Sequence, residues 1–221
     1  MSRRSSISAG SANTSARVLE VAERLAQTRG FNGFSYADIA LELRVTKASL
    51  HYHFATKADL GRTLIARYGE RFAAALAVLD AEPDVRRRMT RYVQLYEDVL
   101  VADRMCLCGM LAAEYSTLPP AMQSELRAFF DRNESWLELT LDEGRTAASL
   151  HFAGTALEVA RLLTSALEGA MLLARSYQEP ERFRLTARRL LADIGIDRSA
   201  STRARRNRRD RSAQRARALA R

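Results

Sequence analysis

The chain has 221 residues, enough to bury a core as one large or two small domains, and its two cysteines exclude a disulfide scaffold. No apolar run approaches membrane-spanning length, and the opening "MSRRSSISAGSANTS" lacks the apolar stretch of a signal peptide. A cytoplasmic protein without a membrane partner is therefore expected. The charge of +9 is unevenly placed: residues 1–57 carry +4, residues 58–197 carry −4, and residues 198–221, with ten Arg and one Asp, carry +9. Basic ends around an acidic middle point to a polyanion, of which nucleic acid is the common one.

Composition rich in Ala, Leu, Arg and Glu, with few Gly and Pro, predicts an all-α chain. Residues 1–14 are Ser-rich and read as a disordered arm. Ser15 is placed to cap a helix to Arg29, with Val18, Val21, Ala22 and Leu25 on one face and Gly30 at its end. "FNGF" is an Asn-Gly turn between two phenylalanines able to plug a small core. In "SYADIALEL", Ser35 and Asp38 form a capping-box-like start for a helix of about two turns. Thr46 caps another short helix, with Leu50 and Phe54 on its inner side. Thr56 and Asp59 then start a longer helix with the face Leu60, Leu64, Tyr68, Phe72, Leu76 and Leu79, broken at Glu82-Pro83-Asp84. Further helices are predicted over about 85–103, 106–117, 120–143, 153–178 and 180–194, with breaks at Leu118-Pro119-Pro120, Gly144 and Pro180. The Arg-rich segment 197–221 reads as a disordered tail.

The stretch "VTKASLHYHFATK" is too polar for a buried helix and too aromatic for a merely solvated one. Two short capped helices joined by a tight turn form a helix-turn-helix, whose second helix enters the DNA major groove. Its outward face offers Lys47, Ser49, His51, Tyr52 and His53. The restart at Thr56-Lys57 presents another helix N-terminus suited to a phosphate. His51 and His53 point in different directions on a helix and have no further His or Cys nearby in sequence, so no metal is expected.

The segment "GFNGFSYADIALELRVTKASLHYHFATKADL" resembles the N-terminal domain of TetR-family transcriptional repressors over about residues 15–65. The resemblance implies an N-terminal three-helix DNA-binding domain over 15–60, and a helical effector-binding and dimerisation domain over 61–196. It implies that Thr46, Lys47, Ala48 and Ser49 approach bases. Tyr52 and His53 would touch bases or backbone, Lys57 would hold a phosphate, and Ser35 and Tyr36 would contact the DNA backbone. The chain departs from the pattern at Ala48, where many members have Gly, and at His51, where many have Tyr.

A single helix-turn-helix reads few base pairs, so a homodimer on a two-fold operator is expected. The candidate dimer surface is the stripe Val159, Leu162, Leu163, Ala166, Leu167, Ala170, Met171 and Ala174, together with "RFRLTARRLLADIG". The same stripe is equally readable as intramolecular core. "CLCGMLAAEYSTLPPAMQSEL" resembles a subgroup of the family that responds to reactive electrophiles or small unsaturated acids such as acrylate. Cys106, near a helix N-terminus, and Cys108 are thereby candidate sensors. The plain alternative is a small apolar side chain filling core. Met110, Tyr115 and Trp136 are candidate pocket residues, with Tyr96, Met105 and His151, and Glu114 or Arg145 could orient a polar head.

The expected function is a ligand-responsive repressor whose effector shifts the dimer away from its DNA-competent state, with the helix that starts at Lys57 as lever. The Arg-rich tail would add sequence-independent affinity or merely solubility. The alternative is an architectural binder without sequence choice. No phosphate-cradling Gly loop, nucleophile elbow or metal cluster supports an enzyme, and no cofactor is expected.

Overall fold

The computed structural model describes residues 4–196, with side chains from Thr14 onward. Within them nine α-helices follow in order: α1 Arg4–Arg29, α2 Tyr36–Leu43, α3 Lys47–His53, α4 Lys57–Asp80, α5 Val85–Val101, α6 Leu107–Ala113, α7 Pro120–Thr146, α8 Ala156–Ser176 and α9 Pro180–Asp193. A 3-10 turn, Tyr115–Thr117, separates α6 from α7. None of these helices is long and apolar enough to cross a membrane. The tail over 197–221 lies outside the described residues.

The expected all-α class holds, with three boundary corrections. Helix α1 begins at Arg4, so the arm expected over 1–14 is helical from that residue and Ser15 is interior. Extending a formed helix through Ala- and Ser-containing sequence costs far less than nucleating one. The segment expected as one helix over 106–117 divides, because α6 ends at Ala113 and the chain turns before the two prolines. Gly144 does not end α7. It lies inside the helix, where Leu150 and Val85 leave no room for a Cβ.

The helices start where side chains can satisfy free N–H groups. Capping boxes open α2 at Ser35 and Asp38, α4 at Thr56 and Asp59, and α8 at Thr155 and Glu158. Val18, Ala22, Leu25 and Ala26 of α1 pack with Phe31, Phe34, Ile39, Leu50 and Phe54 in a core that holds α1–α3 as a compact head. Beyond it, α4 packs against α7, α7 against α8, α8 against α9, and α5 against α9. The buried face of α4 is Leu60, Leu64, Tyr68, Leu76 and Leu79, as its spacing predicts, with Phe72 half-buried.

The α8 stripe divides. Val159, Leu163, Leu167, Ala170, Met171 and Ala174 are intramolecular core, whereas Leu162 is exposed. The outward face of α8 runs Leu162, Ser165, Gly169 and Leu173, and nothing approaches Gly169 within 4 Å. Leu185 of α9 is also exposed.

Candidate functional site

The head carries a helix-turn-helix. Arg44, in the left-handed region at φ 54°, turns the chain between α2 and α3. Thr46 caps α3 by accepting the Ser49 N–H at 3.2 Å. Leu50 is fully buried, and Phe54, just past the helix, is buried beside it. The outward side keeps Lys47, Ala48, His51 and Tyr52 exposed, with Ser49 and His53 half-buried. Tyr52 is 82 % exposed, and its ring meets His53 edge-on at 5.3 Å. The Nδ1–H of His51 donates to the Ala55 carbonyl at 3.0 Å, which fixes the ring on the outward side of α3.

Three residues expected at the DNA backbone also serve the fold. Lys57 turns inward: its Nζ donates to the carbonyls of Phe31 and Phe34 and lies over both rings, 4.6 and 4.5 Å from their centroids. Desolvation holds its pKa below the usual lysine value. Tyr36 is buried; its hydroxyl reaches the carbonyls of Phe54 and Thr56 at 2.8 Å, and burial pushes its pKa up to about 12. Ser35 stays exposed but is occupied by its capping box with Asp38. The α4 N-terminus, expected to suit a phosphate, already holds the Asp59 carboxylate at its Thr56 N–H. What remains open is a hollow between the start of α2 and α3, lined by Ser35, Tyr36, Ala37, Lys47, His51 and Lys57.

The head is bonded to the rest of the chain at its α1–α2 corner. Glu114, at the end of α6, accepts the N–H groups of Phe31 at 2.6 Å and Asn32 at 3.2 Å. The Asn32 amide donates to Thr117 Oγ at 2.8 Å. Gly30, at φ 82°, turns under that carboxylate where no Cβ would fit. At the other end of α6, Gln27 Nε2 donates to the Met105 carbonyl at 2.9 Å. Arg175 of α8 donates to the Gln27 and Thr28 carbonyls, both at 2.8 Å. Glu114 is thus a cap on the corner of the head, not a ligand-orienting group.

Between α4, α5 and α8 lies a cavity of about 170 Å³ lined by Tyr68, Phe72, Tyr96, Val99, Cys106 and Met171. Arg71 joins the lining and pairs with Glu23. Tyr96 was expected here, and so was Cys106. Cys108 is fully buried behind it. The expected low thiol pKa is overturned: burial, then the negative charge of Glu168, pushes Cys106 well above the ordinary thiol value. Cys108 is likewise raised, chiefly by burial. Helix α6 has only seven residues and no side-chain cap, so its dipole is too weak to reverse this.

The other expected pocket residues lie elsewhere. Met110 and Tyr115 are half-buried outside the cavity, with Tyr115 under the Arg127 guanidinium. Trp136 stacks on Tyr92 at 5.4 Å and donates to Asp80 at 2.9 Å. Met105 is plain core, and Arg145 lies over the Phe152 ring. His151 is exposed, its N–H on the Ile194 carbonyl at 3.1 Å. Among the described residues no three His, Cys, Asp or Glu are placed to hold a metal ion.

Sequence reasoning missed Glu168. Its carboxyl oxygens are both closed to solvent and receive no formed hydrogen bond. Burial raises its pKa to about 7. The signal was present: Thr164, Glu168 and Met171 lie at spacings of four and three on an inward face of α8.

Residues 18–62 match the sequence pattern of bacterial regulatory proteins of the tetR family. The crystal structure of a TetR-family transcriptional regulator from Agrobacterium tumefaciens superposes with a TM-score of 0.81 at 30 % identity, covering 83 % of this chain and 98 % of that one. The HTH-type transcriptional repressor NemR of Escherichia coli (strain K12) is 24 % identical over 197 residues, 83 % of this chain and 96 % of NemR. Its reduced form superposes with a TM-score of 0.72 at 26 % identity, covering 82 % of this chain and 97 % of that one. The transcriptional regulator AcuR of Cereibacter sphaeroides is 29 % identical over 124 residues, 54 % of this chain and 55 % of AcuR.

Proposed function

This chain belongs to the TetR family of bacterial regulatory proteins, non-enzymatic binders of DNA, and from that premise we propose that it represses transcription as a two-fold dimer on a palindromic operator and is released by a small effector. The observation that carries the reading is the outward face of α3. Its fold needs are met by Leu50, Phe54 and the Thr46 cap, yet Lys47, His51 and an 82 % exposed Tyr52 remain on the surface. Such a face suits base edges and phosphates in the major groove. Lys47 and His51 would share a backbone-positioning role with Ser35, Tyr36 and Lys57, which line the same hollow beside the α2 N-terminus. Its target being DNA, the protein would work in the cytoplasm.

Dimerisation would use the outward α8 face of Leu162, Ser165, Gly169 and Leu173 with Leu185 of α9. Small residues there let a second copy of α8 approach closely. The effector would enter the cavity at Cys106, as a small unsaturated or electrophilic molecule. Helix α4 links that cavity, through Tyr68 and Phe72, to Lys57 under the head. Helix α6 makes a second link, with Cys106 at one end and Glu114 on the Phe31–Asn32 corner at the other. An effector that favours one placement of α6 would re-space the two heads.

The test is fluorescence anisotropy of a labelled DNA fragment from beside the protein's own coding region, with random DNA in excess and with acrylate or acrylamide added. Binding that survives competition and is abolished by either compound supports the reading. Binding lost to random DNA at every selected site would favour an architectural role instead.

A further inference from the structure

Glu168 is the buried charge to which neither fold nor DNA recognition gives a task. Its stem reaches the surface of α8, but both carboxyl oxygens are shut away and lack a formed hydrogen bond. Buried carboxylates ordinarily recruit donors. The donor that faces this one is the Cys106 thiol. Helix α6 lies so close that the carboxylate occupies the space a Cβ at Gly109 would need. On its other side the sulfur lies 3.7 Å from the Tyr68 hydroxyl and lines the cavity. A nucleophile with a base behind it and an open cavity in front is the arrangement of base-assisted addition.

We propose that Glu168 is the proton acceptor that makes Cys106 a nucleophile toward neutral α,β-unsaturated carbonyl compounds entering the cavity. The inference deepens the regulatory reading and rests on it only for its consequence, release of DNA. In the step, sulfur bonds to the β-carbon while the S–H proton passes to the Glu168 carboxylate. The alkene electron pair moves onto the carbonyl as an enolate, and the α-carbon then takes the proton back from Glu168. The thiol has added across the double bond; nothing leaves, and no outside oxidant or reductant is needed.

The surroundings select a neutral partner. Facing the pair are Tyr68 and Arg71 from α4, Tyr92 and Tyr96 from α5, Cys108 from α6, Glu23 from α1 and Arg132 from α7. Arg71 is held by Glu23, and the effect of Arg132 falls on Cys108. An anionic acid would therefore meet the Glu168 charge at the thiol, with Arg71, the cation in the lining, already paired to Glu23. Burial keeps the thiol protonated at neutral pH, so the thiolate must be made during the reaction. With its pKa near 7, Glu168 divides between its acid and base forms at neutrality.

The experiment follows acrylamide addition to the full chain by intact mass, with peptide mapping to Cys106, across a pH series. Expected is a rate that rises through an inflection near pH 7 before any further rise from thiol ionisation. Glu168→Gln, checked for folding by circular dichroism, should remove the inflection and slow addition on the order of 100-fold at pH 8. Acrylate should add far more slowly than acrylamide. If the carboxylate merely suppresses the thiolate, Glu168→Gln will react faster than wild type, and the proposal fails. A wild-type profile without the inflection overturns it with no variant needed. Operator anisotropy on the same samples keeps the two readings apart. A Glu168-dependent adduct that leaves operator binding unchanged supports the chemistry and counts against its use as a switch.

Discussion

Only two of the chain's 35 basic residues are lysines, and they do different work. Lys47 is exposed at the start of α3, whereas Lys57 is half-buried on two carbonyls and two rings. Lys57→Ala should therefore cost about 2 kcal/mol of stability, the worth of hydrogen bonds from a charged group. Lys47→Ala should leave stability unchanged while lowering the salt slope of DNA binding by about one unit. Urea denaturation and salt-titrated anisotropy separate the two, and a reversal of the pattern would restore Lys57 as a phosphate ligand. Glu168 makes a second residue-scale prediction. Its folded pKa of about 7 lies above the ordinary glutamate value of 4.5. The folded state thus binds the proton more tightly, and stability falls as pH rises from about 4.5 to 7. Glu168→Gln should match wild type near pH 4 and exceed it by up to about 3 kcal/mol at pH 8. Thermal unfolding at the two pH values checks this, and equal stability at both would mean that the carboxylate is solvated.

Helix α6 is short, and its importance comes from its ends. Cys106 begins it at the cavity, and Glu114 ends it on the corner between α1 and α2. A helix fixed at both ends transmits displacement better than one held along a soft side, because a packed interface adopts discrete arrangements. Glu114→Ala should remove two charge-assisted bonds and destabilise the head by about 2 kcal/mol. Hydrogen exchange at the Phe31 and Asn32 amides would report it. The same variant should retain operator binding at low temperature but lose most of its response to the effector. A full response would move the coupling to α4 alone. Helix α4 remains the other candidate, since its N-terminus lies under the head and its Tyr68 and Phe72 line the cavity.

At the scale of the whole molecule, the acidic middle and the basic ends should act on different partners. The exposed α8 face, with Leu173 at 59 % exposure, should meet a second copy. Leu173→Glu places a like charge on both sides of a two-fold contact, so sedimentation should show monomers. Operator affinity should then fall by at least about tenfold, because two half-sites are no longer read together. A dimer that persists would move the interface elsewhere. Deleting residues 198–221 removes ten Arg. The log–log salt slope should become shallower by about 0.9 for each phosphate the tail neutralises, with operator selectivity nearly unchanged.

Much of this was legible in the sequence because it is local. The caps at Ser35, Thr46 and Thr56, the inward pair Leu50 and Phe54, and the period of α4 follow from residues within four positions of each other. Those features determined the helix order and the reading head, and the charge distribution marked the polyanion partner. The direction of Lys57 was decided only in three dimensions, since the carbonyls it holds lie 26 and 23 residues earlier. The same is true of Glu114, which reaches back 83 residues to Phe31. The thiol is the clearest case. Sequence places Cys106 at a helix start, which lowers a pKa, but packing buries the thiol and brings the negative charge of Glu168 from 62 positions away, and the sign reverses. Local spacing fixes which face a side chain takes; only packing decides what that face meets, and charge and burial act through what is met.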